Sequence, residues 1–321
     1  MTTAISVQNL YMKFNHTLAL DGASFEVRKG EIFGLLGPNG AGKTTTIKIL
    51  LSLLRPTGGS VRISGVDVLA NPQEARKIVG WVPQETAVDR LLTGRENLYL
   101  IAGLYHIPPK AARPKIERLL EIFDLTDAAD RVVSQYSGGM KKRLEIAAGL
   151  LHEPAVLLLD EPTLGLDIHT RRKLWDYIRL IKRSGTTILL TSHYLEEADA
   201  LCDRVAIIHK GKIMACDSPA HLKAEYGQPR IRVEPAEPLR PEQLQSYLRA
   251  LSGVGRLSAH RADPHEIRLD VDDPFAATKA ALAEAEKLGI PLKGVSAVHT
   301  SLDDVFIKIT GSDILEANAV E

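Results

Sequence analysis

The sequence predicts an α/β domain with a helical insertion, followed by a small α+β domain of ferredoxin-like βαββαβ order. Three observations predict it. Short apolar or β-branched runs alternate with helical periodicity over the first two thirds of the 321 residues. Between about residues 85 and 153 the β-branched clusters thin out and helical patterns take over. Pro229, Pro235, Pro238 and Pro241 then precede a second set of strands and helices. The expected domains are residues 1–226, with the helical subdomain at about 85–153, and residues 227–321.

Each element has its own warrant. Ile32–Leu36, Ala155–Leu159 and Thr187–Thr191 are continuous apolar or β-branched runs, as expected of central strands covered on both faces. After the first of them, Ile47, Leu50, Leu51 and Leu54 fall on one helix face, and Pro56 with Gly58–Gly59 should stop that helix. Glu96–Tyr105 and Lys110–Phe123 read as helices of the insertion. In the tail the order is strand Arg230–Val233, helix Pro241–Leu251, strands Gly255–His260 and Glu266–Val271, helix Pro274–Leu288 and strand Leu292–His299. Leu302–Ile309 is expected to offer apolar and main-chain surface for pairing.

Composition narrows the partners. Forty Lys plus Arg balance forty Asp plus Glu, a formal net charge of +0, so a nucleic-acid partner is not expected. Two cysteines, Cys202 and Cys216, cannot build a disulfide framework and point to a reducing compartment. No basic stretch followed by an apolar run opens the chain, and no 18 apolar residues occur in a row. A cytoplasmic protein that meets a membrane only through a partner is the expectation.

The sharpest chemical signal is Gly37-Pro38-Asn39-Gly40-Ala41-Gly42-Lys43-Thr44, a GxxxxGK[ST] run between a predicted strand and helix. Its glycines let backbone N–H groups wrap a phosphate, and the helix start, through Thr45, adds a favourable dipole. Lys43 reaches the β- and γ-phosphates and the Thr44 hydroxyl ligates Mg2+. The apolar strand before Asp160-Glu161 ends in two carboxylates. Asp160 is expected beside the Mg2+, through water, and Glu161 as the general base for the attacking water. Tyr136-Ser137-Gly138-Gly139-Met140-Lys141 precedes a helix with Leu144, Ala147, Ala148 and Leu151 on one face. Ser137 and two glycines at a helix start make a second anion site.

With Ser137 standing 23 residues before Asp160, the chain resembles the ATP-binding subunits of ABC transporters, a branch of the P-loop NTPases. The resemblance covers about residues 4–226. Gln84, in Val82-Pro83-Gln84-Glu85, resembles the glutamine that touches Mg2+ and senses the transmembrane partner. Gly165-Leu166-Asp167 looks like the D-loop, His193 like the switch histidine beside the γ-phosphate, and Phe14 like the aromatic that stacks on adenine, with Tyr11 its competitor. Met140 stands where the broad family has Gln, which removes a side-chain donor and acceptor. This variant, with basic residues after it and with Ser301-Leu302-Asp303-Asp304-Val305-Phe306 in the tail, resembles drug-resistance-type exporters and ABC subfamily A proteins.

The resemblance implies ATP and Mg2+ as cofactors and a separate membrane permease as partner. It also implies a homodimer, or a heterodimer with a homologous ATPase subunit, in which Ser137–Met140 act in trans. Such a chain would be peripheral on the inner face of the cell membrane. The alternatives are a soluble ABC ATPase acting on ribosomes or DNA, and an importer subunit. The first usually carries two ATPase halves, a coiled-coil insertion or a basic surface, and the second is disfavoured by the tail.

Overall fold

The structure is a computed structural model and describes residues 2–15, 17–227, 229–252, 258–262, 264–298 and 300–311. It opens with long strands β1 (Thr3–Phe14) and β2 (Thr17–Arg28), then β3 (Ile32–Leu36), α1 (Lys43–Leu50), β4 (Gly58–Ile63), β5 (Val66–Asp67), α2 (Pro72–Lys77) and β6 (Val79–Val82). The helical stretch follows as α3 (Gly94–Leu104), α4 (Pro109–Ile122) and α5 (Gly138–Leu150). Strand β7 (Val156–Asp160), α6 (Ile168–Arg183), β8 (Thr187–Ser192), α7 (Leu195–Leu201), β9 (Arg204–His209) and β10 (Lys212–Asp217) complete the first unit.

Two sheets form that unit. One has the order β2-β1-β4-β5 and is antiparallel; the other has the order β10-β9-β3-β8-β7-β6 and is parallel except for β10 against β9. Every residue of β3, β7 and β8 is buried, as their unbroken apolar runs predict. The register matters most at their C-terminal ends. Leu36 of β3 pairs with Ser192 of β8, and Asp160 of β7 pairs with Thr191 of β8. Three loops that carry chemistry therefore leave the sheet at one edge, where ligands of open parallel sheets bind.

The second unit runs through α8 (Pro219–Tyr226), β11 (Arg230–Pro235), α9 (Pro241–Ser252), β12 (Ser258–Ala262), β13 (Ile267–Asp270), α10 (Pro274–Lys287), β14 (Leu292–Val298) and α11 (Leu302–Thr310). Its sheet order is β12-β13-β11-β14, antiparallel throughout, which is the ferredoxin-like arrangement expected. Ile231, Val233, Tyr247, Ile267, Leu269 and Ala281 centre its core. The Tyr247 hydroxyl donates to the Ala281 carbonyl at 2.8 Å, tying α9 to α10, and burial pushes that phenol up to about 12.

Several expectations need correction. Helix α1 ends at Leu50, and Ser52, at φ +55°, turns the chain, so Gly58–Gly59 open β4 instead of stopping the helix. The chain divides between Pro219 and Ala220, not after residue 226, because α8 groups with the second unit. Leu302–Ile309 lies in a helix. Ser301 and Asp304 form its capping box, its backbone groups are satisfied internally, and Leu302, Val305 and Phe306 are buried. It offers no main-chain surface for pairing. Of the strand expected at Gly255–His260, residues 255–257 lie outside the described residues.

Candidate functional site

The site grows from the turn between β3 and α1. Gly42 sits at φ +110°, and a Cβ there would meet the Ala19 carbonyl at 2.7 Å. Only glycine suits that conformation and approach. Its consequence is a helix start with no side-chain cap and no acidic residue in the first turn. The amides of Lys43, Thr44 and Thr45 meet no acceptor among the described residues. Such a start binds anions. Lys43 is buried and donates to the carbonyls of Gly37 at 2.7 Å and Pro38 at 3.0 Å, and its Nζ lies 3.5 Å from Glu161 Oε1. Burial lowers its pKa, while Glu161 and Asp160 pull the other way.

The two carboxylates are held differently. Asp160 Oδ1 accepts from Thr191 Oγ1 at 2.5 Å. Burial raises the Asp160 carboxyl, against the Thr191 and Thr44 hydroxyls, which favour its ionised form. Glu161 is in the left-handed region at φ +47°, a conformation costing on the order of 1–3 kcal/mol. Its N–H donates to Thr191 Oγ1 at 3.1 Å and to the Thr191 carbonyl at 3.2 Å, which holds the bend. Glu161 Oε2 lies 3.1 Å from His193 Nδ1. Burial acts to raise the Glu161 carboxyl, but the His193 bond and the Lys43 charge outweigh it and hold the group below the usual carboxylate range.

Lys43, Thr44, Asp160, Glu161 and His193 are thus brought together as expected. Sequence reasoning missed Thr191, whose hydroxyl serves the Asp160 carboxylate and the Glu161 backbone N–H; its signal was its place in the Thr191-Ser192-His193 run. The other candidates stand apart. Ser137 caps α5, its hydroxyl accepting from Met140 N at 3.3 Å, and Met140 Sδ lies 3.8 Å from Arg131 Nη2. A Cβ on Gly139 would meet Thr170 Cγ2 at 2.5 Å, so the glycine lets α5 approach the start of α6. Gly165 turns at φ +73°, and Asp167 caps α6 by accepting from Thr170 N at 2.9 Å. Gln84 is exposed just past β6. Phe14 ends β1, exposed; Tyr11 is equally exposed, with its ring lying over Gly22 and Gly58. Among the described residues no hydrogen bond or ion pair joins Phe14, Gln84 or Ser137–Met140 to the Lys43–Glu161–His193 cluster.

Known proteins share this architecture. Residues 20–164 match the family described as ABC transporter, and residues 218–310 match the C-terminal domain described as ATP-binding protein DrrA1-3-like. The daunorubicin resistance ATP-binding protein DrrA2 of Streptomyces coeruleorubidus is 41% identical over 312 residues, covering 96% of this chain and 95% of its own. This chain belongs to the ABC transporter ATP-binding proteins. The Nod factor export ATP-binding protein I of Burkholderia pseudomallei (strain 1710b) is 38% identical, covering 97% of this chain and 98% of its own. Among solved structures, the ATP-binding cassette MJ0796, in a dimeric post-hydrolysis state bound to ADP and Pi, superposes with a TM-score of 0.60 at 25% identity. It covers 67% of this chain and 98% of its own. Members of this family are ATPases, and this chain is one of them.

Proposed function

We propose that this chain hydrolyses ATP to power export by a separate ABC-type membrane permease, as a head-to-tail dimer with a second copy or a homologous subunit. The observation that carries the catalytic part is Glu161, bent into place by Thr191 and held between Lys43 and His193. Lys43 places a fixed positive charge at the β- and γ-phosphates, and the amides of Lys43 to Thr45 donate to phosphate oxygens. Glu161, kept ionised, accepts the proton of the attacking water at its carboxylate, while His193 Nδ1 keeps that carboxylate oriented.

The Thr44 hydroxyl and Asp160 carboxylate suit Mg2+, which takes oxygen ligands and keeps phosphate and water in its shell. Mg2+ supplies charge neutralisation on the phosphates. Gln84 is the further oxygen donor we assign to it, and Phe14, exposed at the end of β1, the adenine platform.

One chain holds one set of motifs, so Ser137, Gly138, Gly139 and Met140 would complete the partner's site, with Gly165–Asp167 at the seam. The ADP- and Pi-bound dimer of MJ0796 supports that arrangement. Export is supported by the names of the relatives and by the DrrA-like second domain. Those names attach different cargoes to chains of this architecture, in keeping with a permease that selects cargo. Among the described residues no helix is long and apolar enough to cross a membrane; likeness to export ATP-binding proteins supports a place on the inner face through a permease. The test is Glu161→Gln: ATP affinity should stay near wild type while steady-state phosphate release falls roughly 10²–10⁴-fold. Release at the wild-type rate would remove Glu161 as the base.

A further inference from the structure

Glu197, on α7, is a buried carboxylate that the proposed mechanism leaves unused. It is 1% exposed, and burial raises its carboxyl. A carboxylate so placed is costly unless it is bonded. Its partners come from three segments that serve the site. Trp175 Nε1 of α6 donates to Glu197 Oε1 at 3.2 Å. The hydroxyls of Ser192, next to His193, and Thr163, two residues past Glu161, act to favour its ionised form, as does the Arg171 charge, while the Ser192 hydroxyl itself bonds to the Tyr194 backbone. Arg171 also covers the Tyr194 ring at 4.6 Å, and that ring packs against His193 at 4.1 Å.

The node is only partly closed. Glu197 Oε2, Thr163 Oγ1 and Arg171 Nε are buried and make no hydrogen bond. Buried polar atoms are ordinarily paired, so the free oxygen of Glu197 and the free donors of Thr163 and Arg171 leave this node with bonding capacity that its present contacts do not use. Bonds at catalytic sites are often long before substrate binds and tighten in the loaded complex. Closing the reach from Thr163 to Glu197 Oε2 draws the loop that carries Glu161 toward the switch that carries His193.

We propose that Glu197 is a positioning residue for hydrolysis: through Thr163, Ser192, Trp175 and Arg171 it locks the Glu161 loop, the His193 switch and α6 into one register. The inference rests on the assignment of Glu161 and His193 to the hydrolytic step. It touches no phosphate, so it acts on turnover and leaves binding alone.

The test measures kcat, KM for Mg-ATP and nucleotide affinity on the full-length chain carrying Glu197→Ala, Glu197→Gln or Trp175→Phe. Each is also made in the His193→Ala background. Misplacement of this kind costs up to roughly 100-fold in rate. Glu197→Ala should lose a large part of that in kcat with affinity within about twofold, and Glu197→Gln, which keeps an acceptor for Trp175, should recover most of it. Trp175→Phe keeps the ring and removes one donor, and should give a smaller loss in kcat alone; it carries the test if Glu197→Ala does not fold. In the His193→Ala background the same changes should add less than about twofold, because both act on one step. Losses that multiply with His193→Ala, equal falls in kcat and affinity, or wild-type turnover in Glu197→Ala would overturn the proposal. A His193→Ala chain with full turnover would overturn the reading of His193, and this inference with it.

Discussion

Replacing Thr191 by Val removes one hydroxyl and almost no volume, at a side chain that is fully buried. That hydroxyl donates to Asp160 Oδ1 at 2.5 Å and accepts from Glu161 N at 3.1 Å. A hydrogen bond to a charged group contributes about 1.5–3 kcal/mol, and the buried acceptor left behind keeps the loss near that range. The second bond matters less to stability, because Glu161 N keeps the Thr191 carbonyl at 3.2 Å. Both tryptophans, Trp81 and Trp175, lie in the first unit, so their emission reports the unfolding of that unit alone. With a urea slope near 3 kcal/mol per molar, the midpoint should fall by about 0.5–1 M. Turnover should fall with it, since the bend at Glu161 loosens and Asp160 loses its orienting donor. An unchanged midpoint together with unchanged kcat would refute the claim that Thr191 holds the Asp160 carboxylate and the Glu161 bend.

The remaining predictions concern charge and domain organisation. His193→Ala removes a bond that lowers the Glu161 carboxyl, so the acid limb of the pH–kcat profile, where Glu161 takes up its proton, should move to higher pH. A limb that stays put would detach His193 from Glu161. Lys43→Ala should abolish tight ATP binding by calorimetry, and affinity within a factor of two would contradict the phosphate-loop assignment. A chain ending at Pro219 should still bind and hydrolyse ATP, because no candidate site residue lies beyond His193. Compared by sedimentation with the full-length chain, both in the Glu161→Gln background, it should form less ATP-dependent dimer. An equal dimer fraction would remove the second unit from assembly, and loss of ATP binding would refute the boundary.

Much of this protein was legible in its sequence, for identifiable reasons. Ile32–Leu36, Ala155–Leu159 and Thr187–Thr191 could be read as buried strands because central parallel strands covered on both faces favour near-continuous apolar or β-branched runs. Gly42 and Lys43 could be read as a phosphate loop because that backbone path excludes a Cβ and the helix start offers free N–H donors to an anion. The ferredoxin-like order of the tail followed from the sequence of periods alone. What the tertiary structure decided is whatever depends on register between distant segments. Asp160 meets Thr191 only because β7 and β8 pair in parallel at that offset, 31 residues apart in the chain. Helix α8 groups with the second unit, and Leu302–Thr310 is a helix whose local signals, the Ser301–Asp304 capping box and the apolar face of Leu302, Val305 and Phe306, were present in the sequence but not read. Glu197 carried no signal at all: a glutamate on a short helix looks solvated until the fold closes over it.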